Sequence, residues 1–383
     1  MTQPEYSLDQ FGRMIEDKLR MDAYSAAITR CVRPGDAVVD LGCGPGVFAL
    51  LACKAGARRV YAIDMNGVVD FGRQLAAANG FADRIIFLRG DSRQIHLPER
   101  VNVIVSDVRG VVPLYSNAID TLEDARDRFL VEDGCLLPSR DTLYAAVVEL
   151  PEHHGQLTQA WNSVPQLDLS SGLPLVLNTI FRHHIKAEQV LSGSLPWHTL
   201  DYVKGAKAPA QARLDLAVTR NGVGHGLGIW FETQLLKDIG YSTAPSSGET
   251  VYGHLFLPWL EPISLHAAEI CSVDLRAHLV GNDYVWQWET NLPATQCHGE
   301  VRFVQSTFYG SLFPPSVLHK RTMDFVPVLT EHGQAERWIL QAMDGNRPLE
   351  DIASEAARLY PHVFRRTEDA FNQAAEIAEK YSR

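Results

Sequence analysis

The sequence predicts an α/β domain, then an all-β domain, then a short helical module. Three observations predict this. Between residues 31 and 139, apolar strand-like runs alternate with helix-like runs, the signature of a parallel sheet covered on both faces. The first strand-to-helix junction is glycine-rich, as a ligand-binding turn requires. Beyond Pro138 the segments become short, β-branched and aromatic, with turns between them.

The elements follow in order. Residues 1–30 predict helix, with Phe11, Met14, Ile15 and Leu19 on one face and charged residues interleaved. Pro34-Gly35 breaks it. Then AVVDLG is a strand, VFALLACKAG a helix, RVYAIDM a strand, and VVDFGRQLAAANG a helix ending at Asn79-Gly80. RIIFLRGD and VNVIVSD are further strands, which makes residues 31–139 a Rossmann-like domain. Residues 140–325 supply the β domain through TLYAAVVEL, ARLDLAVTRNG, GLGIWFETQLL, ISLHAAEICSVDLRAHLVG, YVWQWETNL and VRFVQSTFYG. Asn221-Gly222 and Asn282-Asp283 are expected hairpin tips. Residues 156–174 are polar and loop-like, an insertion. Residues 326–383 are helical, with a turn at Asp344-Gly345.

Composition narrows the function classes. Acids outnumber bases 46 to 35, giving a net charge of −11, which disfavours nonspecific nucleic-acid binding. The N-terminus shows no secretory signal, and no apolar run approaches the roughly 20 residues that span a bilayer. The six cysteines, Cys31, Cys43, Cys53, Cys135, Cys271 and Cys297, form no CxxC pair, so free thiols in a reducing cytoplasm are expected.

VVDLGCGPGVFALLACKAGA carries the strongest chemical signal. Gly42, Gly44 and Gly46 let backbone approach a nucleotide-like ligand. Asp64 lies 18 positions after Gly46, at the distance where an acid holds ribose hydroxyls. A dinucleotide is the first rival, and a non-binding glycine turn the bland alternative. Asp40 decides between cofactors: a carboxylate there repels a pyrophosphate and attracts an ammonium. Asp91, with Ser92 beside it, follows the third strand and is placed for an adenine edge. The expected ligand is S-adenosyl-L-methionine, whose sulfonium and ammonium are both positive, and the expected enzyme a methyltransferase.

With these residues in view, the chain resembles the protein arginine methyltransferase family over roughly residues 6–310. The resemblance rests on VVDLGCGPGVFALLACKAGARRVYAID, YSNAIDTLEDARDRFLVEDGCLLPSRDTLYAAVVE, LDLAVTRNGVGHGLGIWFETQLL and GYSTAPSSGETVYGHLF. It implies a β-barrel after the donor domain, a dimerisation arm at 156–174, and a homodimer. In DKLRMDAY it implies that Arg20, with Tyr24 nearby, meets the donor's carboxylate, and that Asp17 pairs with a histidine of a Thr-His-Trp loop. Here that loop is VYGHLF, with His254 kept, Gly253 for threonine and Leu255 for tryptophan. The donor-covering YFxxY element is replaced by PEYSLDQF, where Tyr6 and Phe11 are the candidate lid.

The acceptor loop SDVRGVVPLYSNAI departs furthest from the family. Two glutamates of the family pattern fall on Asp107 and Ser116, and Arg109 stands where the family has no charge. Two carboxylates at 4 Å from a cation contribute about 4 kcal/mol each at an effective dielectric of 20. Losing one and adding a cation argues against a bare guanidinium. The leading expectation is therefore methyl transfer to a nitrogen of a small amino-acid-like or peptide acceptor, with Arg109 taking its carboxylate. Peptidyl or protein arginine is the second reading, and a weak donor-binding assembly protein the third. His254 oriented by Asp17 is the expected base, with Asp107 as second choice.

Other constellations count for less. His153-His154 and His183-His184, read as strand neighbours, point to opposite faces, and no zinc set completes them, so no metal is expected. Trp259, Trp286 and Trp288 are barrel core or rim. WILQAMDGNRPLEDIASEAARLYP weakly resembles PqqD-like winged-helix modules, which implies binding of a leader peptide; a helical cap or dimer contact is the alternative.

Overall fold

The computed structural model describes residues 6–206, 209–295, 298–312, 319–320 and 322–382. Its contacts group the chain into two compact units that divide between Ser311 and Leu312.

The expected N-terminal helix is two helices, α1 (Leu8–Glu16) and α2 (Lys18–Cys31). Ser7 and Gln10 cap α1 reciprocally. Asp17 is extended, and its carboxylate accepts from the Arg20 N–H at 3.1 Å, which starts α2.

Next comes a five-stranded sheet: β1 (Ala37–Leu41), β2 (Arg59–Asp64), β3 (Ile85–Arg89), β4 (Val101–Ser106) and β5 (Leu130–Leu137). Its order is β3-β2-β1-β4-β5, with every pairing parallel. Helices α3 (Val47–Ala55), α4 (Val69–Ala78) and α5 (Ala118–Phe129) connect the strands. All five residues of β1 are buried, as a central parallel strand demands. The strand order reverses at β1, so the crevice for a ligand lies beyond the carboxyl ends of β1 and β4.

Two antiparallel sheets complete this unit. One contains β6 (Arg140–Val148), β7 (Phe181–His183), β8 (Leu195–Asp201), β10 (Gly222–Leu236), β11 (Ile239–Ser242) and β12 (His254–Leu265), in the order β7-β12-β10-β6-β8 with β11 on β10. The other contains β9 (Ala210–Ala217), β13 (Ile270–Val280), β14 (Asp283–Leu292) and β15 (Val301–Ser306), in the order β15-β14-β13-β9. Together they make the barrel-like part. Trp259, Trp286 and Trp288 are among its most deeply buried side chains.

Several local expectations are corrected. Asn221-Gly222 is not a hairpin tip, because β9 pairs with β13 and β10 with β6 and β12; the chain changes sheets there. The second hairpin is present but its tip is Gly281-Asn282, one residue earlier than expected, with Val280 opposite Asp283. The insertion is not loop-like at its ends: α6 (Pro151–Gln159) enters it and α7 (Leu173–Leu177) leaves it. His153 and His154 therefore lie on a helix, and the ring of His153 stacks on His183 at 4.4 Å. Among the described residues no group of three or more His, Cys, Asp or Glu is arranged to hold a metal, and no helix is long and apolar enough to cross a membrane.

The unit after Ser311 contains helices Glu331–Ala342, Leu349–Leu359 and Thr367–Tyr381 around its own core of Ile339, Ala353, Ala356, Phe364, Ala374 and Ile377. No strand accompanies them among the described residues, so the wing of a winged helix is not seen there.

The free-thiol expectation fails at two positions. Cys31, at the end of α2, is bonded to Cys135 in β5, while Cys43, Cys53 and Cys271 are free and buried. Cys297 lies outside the described residues. The two partners are 104 residues apart, so only the tertiary fold brings them together. The thiol argument for a reducing compartment falls with this pairing. Thiol titration of the denatured chain should reveal two sulfhydryls only after reduction, and Cys135→Ser should lower stability by roughly 2–4 kcal/mol. Equal titres with and without reductant would refute the pairing.

Candidate active site at the carboxyl ends of the parallel sheet

The donor turn begins where β1 ends. Gly42, Gly44 and Gly46 have φ of 72°, 53° and 83°, which only glycine adopts without strain. They are also pressed from above. A Cβ on Gly42 would meet Val108 at 2.4 Å, and one on Gly44 would meet the Phe11 ring at 2.6 Å. Phe11 of α1 thus covers the turn, with the Tyr6 ring 5.8 Å away, in the position expected of a lid. The Gly42 and Cys43 N–H groups bond the Ile63 carbonyl, and the Gly44 N–H donates to Asp64 at 2.7 Å. The other Asp64 oxygen accepts from the Asn66 N–H at 2.8 Å.

Two features fit this turn to S-adenosylmethionine. Asp40 is buried; one oxygen accepts from the Ala49 N–H at 2.8 Å, and the other has no partner among the described residues. A buried oxygen without a partner is costly, and a ligand ammonium would relieve it. Arg20 is the second feature. Its Nε donates to Asp107 at 2.5 Å and one terminal nitrogen to the Met14 carbonyl at 3.1 Å. The other terminal nitrogen has no hydrogen-bond partner among the described residues, which leaves donors for a carboxylate. Asp91 and Ser92 are less available. Asp91 caps a short turn and pairs with Arg93 at 2.7 Å, while the Ser92 carbonyl accepts from Arg128 at 2.7 Å.

The acceptor side is a closed network. Arg109 is buried and uses every donor direction. Its Nε bonds Asp107 at 3.1 Å; one terminal nitrogen bonds Asp141 at 2.8 Å and Thr233 at 2.7 Å; the other bonds the hydroxyls of Tyr24 at 2.7 Å and Tyr241 at 2.9 Å. Asp107 also accepts from the Tyr252 hydroxyl at 2.6 Å, and Asp141 from Tyr202 at 2.7 Å. Two guanidiniums therefore face two carboxylates. Burial works against the Asp107 charge, but Arg20 and Arg109, helped by Tyr252, hold its carboxyl below the usual range. Burial pushes the Asp141 carboxyl up, and Arg109 opposes this. The crevice beside Arg109, lined by Ser106, Val108, Pro113, Ile119 and Tyr202 among others, has room for about one water.

This geometry corrects the role expected of Arg109. Its fork is spent on Asp107, Asp141, Thr233 and two tyrosines, so it is not free to take an acceptor's carboxylate. Ser116 offers no acid and sits at φ 45°, a left-handed conformation within the loop. Asp141 is the group that sequence reasoning missed. It occupies the inward phase of β6, where Leu143, Ala145 and Val147 follow it, and an acid in that phase was the available signal.

The Asp17–His254 pair is also not formed. One Asp17 oxygen caps α2 and the other accepts from the Val251 N–H at 2.8 Å. His254 opens β12 and is buried. Its Nδ1 accepts from the Ile185 N–H at 2.9 Å and its Nε2–H donates to the Thr243 carbonyl at 2.8 Å. Burial pushes its pKa down to about 4. A neutral imidazole with both nitrogens occupied by backbone is a structural brace, not a proton acceptor.

A glycine turn with acids around it, at the switch point of a parallel sheet and followed by an antiparallel barrel, defines a class I S-adenosylmethionine-dependent methyltransferase. Comparison with known proteins agrees in each part. The family model for ribosomal protein L11 methyltransferase matches residues 24–139, and that for the arginine methyltransferase oligomerization subdomain matches residues 139–259. Protein arginine N-methyltransferase 1.1 of Arabidopsis thaliana is 30% identical over 263 residues, covering 65% of this chain and 67% of the relative. Protein arginine N-methyltransferase 1 of Schizosaccharomyces pombe is 30% identical over 268 residues, covering 65% and 78%. The chain belongs to the protein arginine methyltransferase family. Solved structures share the fold. The Trypanosoma brucei PRMT1 enzyme-prozyme heterotetrameric complex with AdoHcy aligns with a TM-score of 0.72 at 22% identity, over 77% of this chain and 97% of that one. Arabidopsis thaliana protein arginine methyltransferase 10 aligns at 0.69 and 21%, over 78% and 97%.

Asp40 would give donor binding a pH dependence. Burial raises its carboxyl to about 7, with the Ala49 N–H opposing and Asp64 adding to the rise. In the free chain an acid raised in this way stabilises the fold fully below its unfolded pKa, and that contribution declines as pH climbs toward 7. Binding of the donor's ammonium by Asp40 would run the other way, because it would need Asp40 ionised. Calorimetric titration with S-adenosylhomocysteine, which keeps the ammonium, should show affinity rising roughly tenfold between pH 5.5 and 7.5, with Asp40→Asn flattening the profile. A flat wild-type profile would remove Asp40 from donor binding.

Proposed function

We propose that the enzyme transfers the methyl group of S-adenosylmethionine to a guanidine nitrogen of arginine in a peptide or protein. One observation carries this reading: the place where the acceptor loop meets the barrel is built as a guanidinium site. Asp107 and Asp141 flank it, and the rings of Tyr24, Phe231, Tyr241 and Tyr252 lie 5.2–6.0 Å from the guanidinium carbon of Arg109. Carboxylates and aromatic faces are what a planar cation prefers. The named activities of the relatives support the same acceptor. A small zwitterionic acceptor finds no support in this geometry, because Arg109 has no donor left for it.

The donor supplies an electrophilic methyl on a positive sulfur. Arg20, Asp40 and Asp64 would hold its carboxylate, ammonium and ribose, under Phe11. The chain's work is then to place an acceptor nitrogen in line with the methyl carbon. The new N–C bond would form as the S–C bond breaks, the sulfur keeping that electron pair as a neutral thioether and the nitrogen giving up one proton to solvent water. Positioning of this kind supplies much of the acceleration. Asp107 is the carboxylate at the acceptor end that holds the cation. The insertion framed by α6 and α7 is proposed to join two copies into a homodimer, which light scattering of the purified chain would settle by mass.

With labelled S-adenosylmethionine and arginine-containing peptides, acid hydrolysis should place the label in methylarginine. Label on free amino acids alone would overturn the arginine reading. A binding-only role is the second reading, favoured by the closed Arg109 cluster. Tight donor binding with no transfer to peptides, proteins or small acceptors would select it.

A further inference from the structure

We infer that Asp107 and Asp141 together form the guanidinium seat of this enzyme, that Asp141 is the second acid Ser116 does not supply, and that Arg109 fills the seat when no acceptor is bound. The inference rests on the arginine reading and goes beyond it by assigning the specificity residues. Three observations converge. Asp141 comes from β6, at the start of the barrel, whereas Asp107 comes from the loop after β4, and the two carboxylates approach one guanidinium at 2.8 and 3.0 Å. The seat adjoins the donor site, because Asp107 also holds Arg20 and because Val108, between the two seat-loop residues, packs on Gly42. Arg109 is carried by a segment without helix or strand, residues 107–117, so its side chain can leave without unpairing any strand.

Charge bookkeeping favours exchange over simple entry. Arg20 and Arg109 balance Asp107 and Asp141. An incoming arginine side chain that displaces Arg109 restores the same balance and finds the same hydrogen-bond acceptors. An incoming lysine cannot bridge both carboxylates with a planar fork. Arg109 thus competes with the acceptor, which raises the KM for arginine, and Asp141 rewards a guanidinium over other cations.

A double-variant comparison tests this against a purely structural ion pair, using an arginine peptide and labelled donor. The seat predicts that Arg109→Gln lowers the KM for the peptide at least tenfold, and that Arg109→Gln/Asp141→Asn returns it to the wild-type value or above. A structural pair predicts the reverse order: Arg109→Gln lowers kcat and thermal stability without improving KM, and the double variant recovers both by removing the unpaired acid. That reversed order would overturn the inference. If Arg109→Gln does not fold, Arg109→Lys reads the same quantity, since it keeps the charge but loses the fork; a KM below wild type supports the seat, and one unchanged or higher refutes it. Failure of wild type and all variants to methylate arginine would instead refute the arginine reading itself.

Discussion

The structure depends on how two buried guanidiniums are neutralised between a parallel sheet and a barrel. Arg20 comes from the second N-terminal helix, Asp107 and Arg109 from the loop after β4, and Asp141 from the first barrel strand. No one of these charges is tolerable alone, since an isolated buried ion costs several kcal/mol. Together they bind three parts of the first unit at one point, and that point adjoins the donor turn. Tyr24, Tyr202, Tyr241 and Tyr252 complete the network by hydrogen bonds to the ions. If the cluster seats the acceptor, as proposed, acceptor specificity is inseparable from the cohesion of these two layers.

The donor half follows from more general constraints. A central parallel strand must be apolar on both faces, so an acid within it, Asp40, is costly and informative. The turn after it must be glycine, because Val108 and Phe11 leave no space for side chains. The buried free oxygen of Asp40 and the remaining donors of Arg20 have opposite sign, as the ammonium and carboxylate of an amino acid require. Helix α2 is started by Asp17 and tied to β5 through Cys31 and Cys135, which fixes Arg20 relative to the sheet.

Local features were legible in the sequence, and long-range pairings were not. The alternation of strand and helix, the glycine turn, and the change of period after Pro138 all arise from neighbours along the chain. The Arg109–Asp141 pair joins positions 32 residues apart in different layers, and nothing local announces it. Arg109 was visible as a misplaced cation, but its partners decide its role, and they belong to the barrel. The Asp17–His254 expectation failed for a related reason. Gly253, with φ 66°, turns the chain just before His254, and the ring then finds the Ile185 and Thr243 backbone groups. The Cys31–Cys135 pairing was equally hidden, because spacing in sequence says nothing about a helix end meeting an edge strand.

The central claim is that Arg20 and Arg109 are both buried with their Nε–H groups bonded to Asp107. Nuclear magnetic resonance of chain labelled with nitrogen-15 arginine reads this directly. The account predicts two guanidinium Nε–H signals that exchange with water far more slowly than the rest, one of which disappears in Arg109→Lys. All arginine signals exchanging at the rate of free arginine would contradict it.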